Sequence, residues 1–187
     1  MIKATEMKKG MVVVVDGNPS VVLDYQHVKL GKGGAVLQTK LKNVKDGTIT
    51  IKRIRSEEAM EQVFVDKQQY EYLYSAGDEH VFMHKETYEQ ITLDSNMFSE
   101  GIKWAKPNIN VEIHFLDGSP LTIVLPNSVE LKVTDTPPAI KGATATNQYK
   151  KATLETGVEI TVPPFVGNGE LIRVDTRNGE YLERVKK

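Results

Sequence analysis

An all-β fold built from small modules is what this sequence predicts, and three observations predict it. Short β-type runs recur between turn dipeptides along the chain, helix-forming stretches are scarce, and the charge balance changes sign by thirds. The 187 residues suit one ordinary domain or two to three small ones. A composition 40% apolar and 26% charged is that of a soluble globular chain without low-complexity character.

Four strands are expected first, at Met11–Val15, Ser20–Asp24, Ala35–Leu41 and Thr48–Arg53. Asp16-Gly17 and Asp46-Gly47 lie between them as hairpin dipeptides, because Gly accepts the positive φ such turns need. A helical first turn fits near Ser56–Met60. Tyr70–Tyr74, Val81–His84, Asn110–Leu116 and Leu121–Leu125 continue the β pattern, with Asp117-Gly118 between the last two. A short helix is expected from Asp94 to Lys103, with Asp94 or Ser95 as N-cap. Val129–Thr134, Gly157–Val162, Leu171–Asp175 and Tyr181–Val185 complete the set, with Asn178-Gly179 as a turn. Asp135 to Lys151 lacks apolar periodicity, holds a proline pair and reads as a long loop. Boundaries near 63–67 and 126–129 divide the chain into modules 1–64, 65–128 and 129–187, too small to bury large cores alone.

Charge separates these modules. The net balance is +4 over residues 1–64, −6 over 65–128 and +1 over 129–187, although the whole chain carries only −1. Binding to nucleic acid rests largely on neutralised phosphates, so only the first module suits it by charge. No apolar run approaches the roughly 18 residues of a membrane helix, and the one at Met11–Val15 is too short for a signal-peptide core. No membrane association is expected, and the chain reads as cytoplasmic. With no cysteine, disulfides, thiolate metal sites and cysteine nucleophiles are excluded together.

The candidate site lies in His27 to Val36, HVKLGKGGAV. Lys29, Leu30 and Lys32 stand among Gly31, Gly33 and Gly34 between two β-type runs. A phosphate-cradling P-loop needs Ser or Thr after the lysine and then a helix. Gly33 and a strand follow instead, so that chemistry is excluded. A protruding hairpin tip that presents Lys32 is one interpretation, and a solvated surface turn is the other. His80 and His84 are spaced for a metal only on a helix, whereas their segment reads as strand. No metal site, cofactor site or catalytic constellation emerges. Trp104, Tyr70, Tyr72 and Tyr74 suit sheet packing or base stacking.

Four segments in order then carry a family resemblance. The tip Val28–Ala35, V-K-L-G-K-G-G-A, resembles the K-P-G-K-G-x-A tip of elongation factor P. Lys151–Val166, K-A-T-L-E-T-G-V-E-I-T-V-P-P-F-V, is similar to that family's signature run. Arg173–Val185, R-V-D-T-R-N-G-E-Y-L-E-R-V, matches its ending. Pro126–Thr136 and the Ile140–Gly142 I-K-G fall in register.

The resemblance implies a KOW-type, SH3-like barrel followed by two OB-fold barrels, in an L shape that mimics a tRNA. It implies a monomeric, non-enzymatic factor that binds the 70S ribosome between the P and E sites. There it promotes peptide bond formation on ribosomes stalled at polyproline. Lys32, usually enlarged in the family by a lysine-modifying enzyme, would reach the CCA end of peptidyl-tRNA, with Lys29 against rRNA phosphate. Lys141, Tyr181 and Arg184 would add RNA contacts, and Gly142, Ala143 and Thr144 align with the loop that meets the E-site codon. Two departures stand out. Ala143 cannot make the polar contacts of the family's aspartate, and Leu30 replaces a proline that would stiffen the tip. An elongation factor P-like paralogue and a general OB-fold RNA-binding protein are the alternatives.

Overall fold

Three antiparallel β-sheets account for most of the chain. The computed structural model describes residues 1–31, 34–98, 101–139 and 149–186. The first sheet holds β1 (Ile2–Lys3), β2 (Val12–Val15), β3 (Asn18–Leu30), β4 (Gly34–Asn43), β5 (Ile49–Arg55) and β6 (Ala59–Val63), in the order β1-β6-β2-β3-β4-β5. The second holds β7 (Asp66–Ala76), β8 (Glu79–His84), β9 (Gln90–Asp94), β10 (Asn110–Leu116) and β11 (Ser119–Val124), in the order β11-β10-β7-β8-β9. The third holds β12 (Ser128–Asp135), β13 (Lys150–Leu154), β14 (Glu159–Val162), β15 (Leu171–Asp175) and β16 (Tyr181–Arg184), in the order β14-β13-β12-β15-β16. The all-β expectation holds. Packing gathers the chain into two compact units, residues 1–68 with 113–122 and residues 69–112 with 123–187.

Turn chemistry sets much of this. Asp16 and Gly17 both take positive φ (50° and 76°), and so do Asp117 and Gly118 (50° and 77°). Each pair closes a two-residue turn, between β2 and β3 and between β10 and β11, of the kind whose twist matches antiparallel strands. Alternation then fills the interior. Val13, Val22, Leu37, Leu41, Ile54 and Met60 close over Ala4 and Met7 in the first sheet's core. Leu131, Val133, Leu154, Val162, Ile172 and Val174 form the centre of the third.

The structure corrects two local expectations. Among the described residues of 94–103 there is no α-helix: Ser95–Phe98 and Gly101–Trp104 are 3-10 turns. Asp94 ends β9, and its carboxylate accepts the Asn96 N–H in a local turn. Ser95, Asn96 and Gly101 are poor helix formers, and Trp104 is drawn into the third sheet's core. Nor does Ser56–Met60 begin a helix. The chain turns once, with Glu58 N–H on the Arg55 carbonyl, and re-enters a strand as β6. There it pairs with both β1 and β2, long-range contacts that local sequence does not announce.

Candidate functional site

β3 and β4 form a hairpin paired without interruption from Asp24↔Lys40 to Leu30↔Gly34. At about 3.3 Å per residue, those paired steps extend roughly 20 Å. Both strands run closer to the tip than the expected Ser20–Asp24 and Ala35–Leu41. β2 accompanies β3 only from Asn18 to Val21. β5 accompanies β4 from Lys42↔Ile49 up to Val36↔Arg55. The result is a three-stranded finger that narrows to two strands over its last two pairs. Ser56, just past β5, anchors the narrowing: its N–H and its hydroxyl both donate to the Ala35 carbonyl, at 3.1 and 2.7 Å. Gly34 takes φ +85°, the left-handed region where an L side chain is strained.

Strand alternation divides the finger into two faces. Lys29, Ala35 and Ser56 lie on one, with His27, Leu37 and Ile54 below them, and Leu37 and Ile54 are fully buried. Val28, Val36 and Arg55 lie on the other, with Gln26, Gln38 and Arg53 below. A bulge between Val22 and Asp24 makes the division possible. It lets Val22 face the core while Asp24, one paired step on, faces outward. Burial opposes ionisation of Asp24, but the Lys9 hydrogen bond, the Tyr25 N–H and the charges of Lys9 and Lys40 outweigh it. They hold its carboxyl below the usual range.

Of the expected tip residues, Lys29, Gly31 and Gly34 are exposed, and Leu30 is the last residue of β3. Lys32 and Gly33 lie outside the described residues, as do Lys141, Gly142, Ala143 and Thr144. Sequence reasoning missed Arg53 and Arg55. The signal was present in β5, I-T-I-K-R-I-R, where a buried Ile54 turns both arginines outward.

Tyr181 and Arg184 are three residues apart, a spacing that puts side chains on opposite faces of a regular strand. The structure brings them together. Ile172 pairs with Arg184 and Val174 with Tyr181, so β16 spends three residues where β15 spends two. This bulge returns both side chains to one face, where they meet Phe165. The Arg184 guanidinium lies 4.7 Å from the Phe165 ring centroid, and the Tyr181 ring meets it edge-on at 6.4 Å. Glu170 lies 3.4 Å from Arg184. Burial raises the Tyr181 hydroxyl pKa, with the Arg184 charge opposing it.

The remaining candidates have structural duties. His80 and His84 share β8, a strand as expected. His80 is buried, its Nδ1 3.1 Å from the Tyr72 hydroxyl, and burial depresses its pKa against the opposing charges of Asp94 and Asp78. His84 Nδ1 accepts the N–H groups of Glu86 and Thr87. Tyr70, Tyr72 and Trp104 are buried, while Tyr74 is half-exposed. Among the described residues, no three His, Asp or Glu side chains group to hold a metal, and no helix is long and apolar enough to cross a membrane.

Known proteins resemble this chain along its length. Three family profiles match in succession: the elongation factor P KOW-like domain over residues 3–60, the elongation factor P OB domain over 65–123 and the elongation factor P C-terminal domain over 129–184. A Clostridium kluyveri protein named elongation factor P is 45% identical over 185 residues, 99% of this chain and 100% of that protein. Its Moorella thermoacetica namesake is 43% identical over 184 residues, 98% of this chain and all of that protein. Among solved structures, a eukaryotic translation initiation factor 5A from Methanococcus jannaschii matches with TM-score 0.40 and 22% identity, over 66% of this chain and 91% of that one.

Proposed function

Because the chain belongs to the elongation factor P family of translation factors, we propose that it binds the 70S ribosome between the P and E sites and speeds peptide bond formation at polyproline stalls through Lys32. The modules are 1–64, 65–128 and 129–187, and the protein acts in the cytoplasm as a non-enzymatic factor. The observation that carries this reading is the finger. Its ladder is paired up to Leu30↔Gly34, and β5 and Ser56 brace it. A stiff ribbon suits delivery of one lysine amine to a distant point, because little ordering entropy remains to be lost on arrival.

Lys32 acts by position rather than by proton transfer. The proline ring fixes φ and restricts the nascent chain. Holding peptidyl-tRNA in a reactive geometry recovers barrier height through orientation alone, worth up to several kcal/mol. A covalent extension of Lys32 by a modifying enzyme lengthens its reach. Lys29 meets rRNA phosphate on the finger's inner face. Lys141, Tyr181 and Arg184 add RNA contacts, and Gly142, Ala143 and Thr144 face the E-site codon, with Ala143 unable to supply a polar contact.

The test is translation of a reporter with three consecutive prolines. Lys32→Ala protein is expected to leave the stall in place, and read-through equal to wild type would sink the mechanism. Intact mass of protein purified from its own host tests the modification, since a mass equal to the bare polypeptide removes it.

A further inference from the structure

We infer that the outer face of the finger is an RNA-backbone clamp, in which Arg53 and Arg55 grip consecutive phosphates and set the angle at which the tip enters its site. The inference rests on the ribosome-binding reading above and names a part of the interface that Lys32 does not supply.

Register makes the case. Arg55 stands level with Val36 and Val28, two paired steps below the last pair of the hairpin, and Arg53 stands level with Gln38 and Gln26. Residues two apart on a strand project from the same face about 7 Å from each other. Both arginines are exposed. Neither forms an ion pair among the described residues, whereas Lys3, Lys9 and Lys52 of the same module are tied to Glu57, Asp24 and Asp16. From the Gln26 level to the hairpin's last pair, no carboxylate stands on this face of the paired strands. Asp24, one level lower, is already engaged by Lys9 at 2.7 Å.

The chemistry of the face selects its partner. Two uncompensated guanidinium groups repel other cations. Their planar forks match phosphate oxygens in pairs. Gln26 and Gln38 beside them supply neutral hydrogen-bonding groups suited to ribose hydroxyls. Val36 stands beside Arg55 in the register and Val28 beside Val36, so the neighbours of the Arg55 stem on this face are apolar. An acidic protein segment would satisfy the charges too, but RNA phosphate is the class that also uses the glutamines and the direction of the tip.

The experiment measures affinity for purified 70S ribosomes carrying peptidyl-tRNA as a function of salt, for the full-length protein. Each phosphate that the protein no longer neutralises takes about 1 unit from the slope of log affinity against log salt. Arg53→Gln with Arg55→Gln is expected to flatten that slope by about 2 units and to weaken binding at low salt about tenfold or more. The Arg53→Lys, Arg55→Lys protein keeps its charges and is expected to keep most of the slope. A wild-type slope in the glutamine protein overturns the inference, and so does a lysine protein that falls as far as the glutamine one. A photo-reactive side chain at Ile51, exposed on the same face, is expected to crosslink to RNA, and crosslinking to ribosomal protein alone overturns it. Lys32→Ala separates the two readings: it abolishes read-through and takes at most about 1 unit from the slope, less than the loss expected of the paired arginine change. If Lys32→Ala restores read-through, the proposed mechanism falls while the slopes still judge the clamp.

Discussion

The finger of the first sheet and the β15–β16 edge of the third both hold cations toward solvent, by different means. In the finger, the register runs unbroken from Asp24 to Leu30, and simple alternation puts Arg53 and Arg55 outward and Ile54 inward. At the β15–β16 edge, the register slips, and the slip brings Tyr181 and Arg184 together over Phe165. A regular ladder transmits orientation along a distance, whereas a bulge gathers residues at a point. The first suits reach and the second suits a local contact.

Breaking the finger's core midway along its paired length gives the largest expected effect. Leu37 and Ile54 are fully buried and paired across β4 and β5. Leu37→Ala is expected to cost about 2–5 kcal/mol in a urea titration. A destabilisation below about 1 kcal/mol would mean that this core does not hold the finger. At the other region, Gly179 takes φ +74°, and an added Cβ would sit 3.2 Å from the Trp104 ring. Gly179→Ala combines backbone strain with crowding and is expected to cost about 1–3 kcal/mol by thermal unfolding. An unchanged midpoint would show that the turn and ring shift apart freely.

Ser56→Ala sharpens the comparison. It removes one of two hydrogen bonds on the Ala35 carbonyl, at a cost of about 1 kcal/mol. Amide exchange near Lys29 and Ala35 should quicken more than exchange in the third sheet. Equal quickening in both would deny that Ser56 braces the tip.

The last effect appears only in acid. Arg177, through its guanidinium and its N–H, holds the Asp175 carboxyl down at about 2, against burial. The unfolded carboxyl titrates at about 3.9. A depressed pKa means that the unfolded state binds the proton more readily, so this contribution is whole above about pH 4 and fades as pH falls toward about 2. The thermal midpoint should drop across that window, and less steeply in Asp175→Asn. Identical acid profiles for the two proteins would remove Asp175 as a cause.

Much of the fold was legible because its signals are local. Asp16-Gly17 and Asp117-Gly118 set their turns through local φ, and the β-type runs at Thr48–Arg53 and Leu171–Asp175 announced strands. β6 was not legible, since its strand exists through pairing with β1 and β2, far away in sequence. The 94–103 segment was misread as one helix because Trp104's burial among third-sheet residues is a tertiary fact. At the candidate site, Lys29 and the glycines were singled out from spacing and resemblance. Arg53 and Arg55 were overlooked, although their alternation with Ile54 was visible.

By itself, then, the amino-acid order determined the β class, the glycine-rich turn signal around Lys32 between two β-type runs and the positive balance of the first module, all properties of residues near one another along the chain. The tertiary structure decided which strands brace the hairpin, which face each arginine takes and how Tyr181, Arg184 and Phe165 come to share one spot. Register and bulges settle those matters, and they arise from long-range pairing energies that no short window of sequence contains.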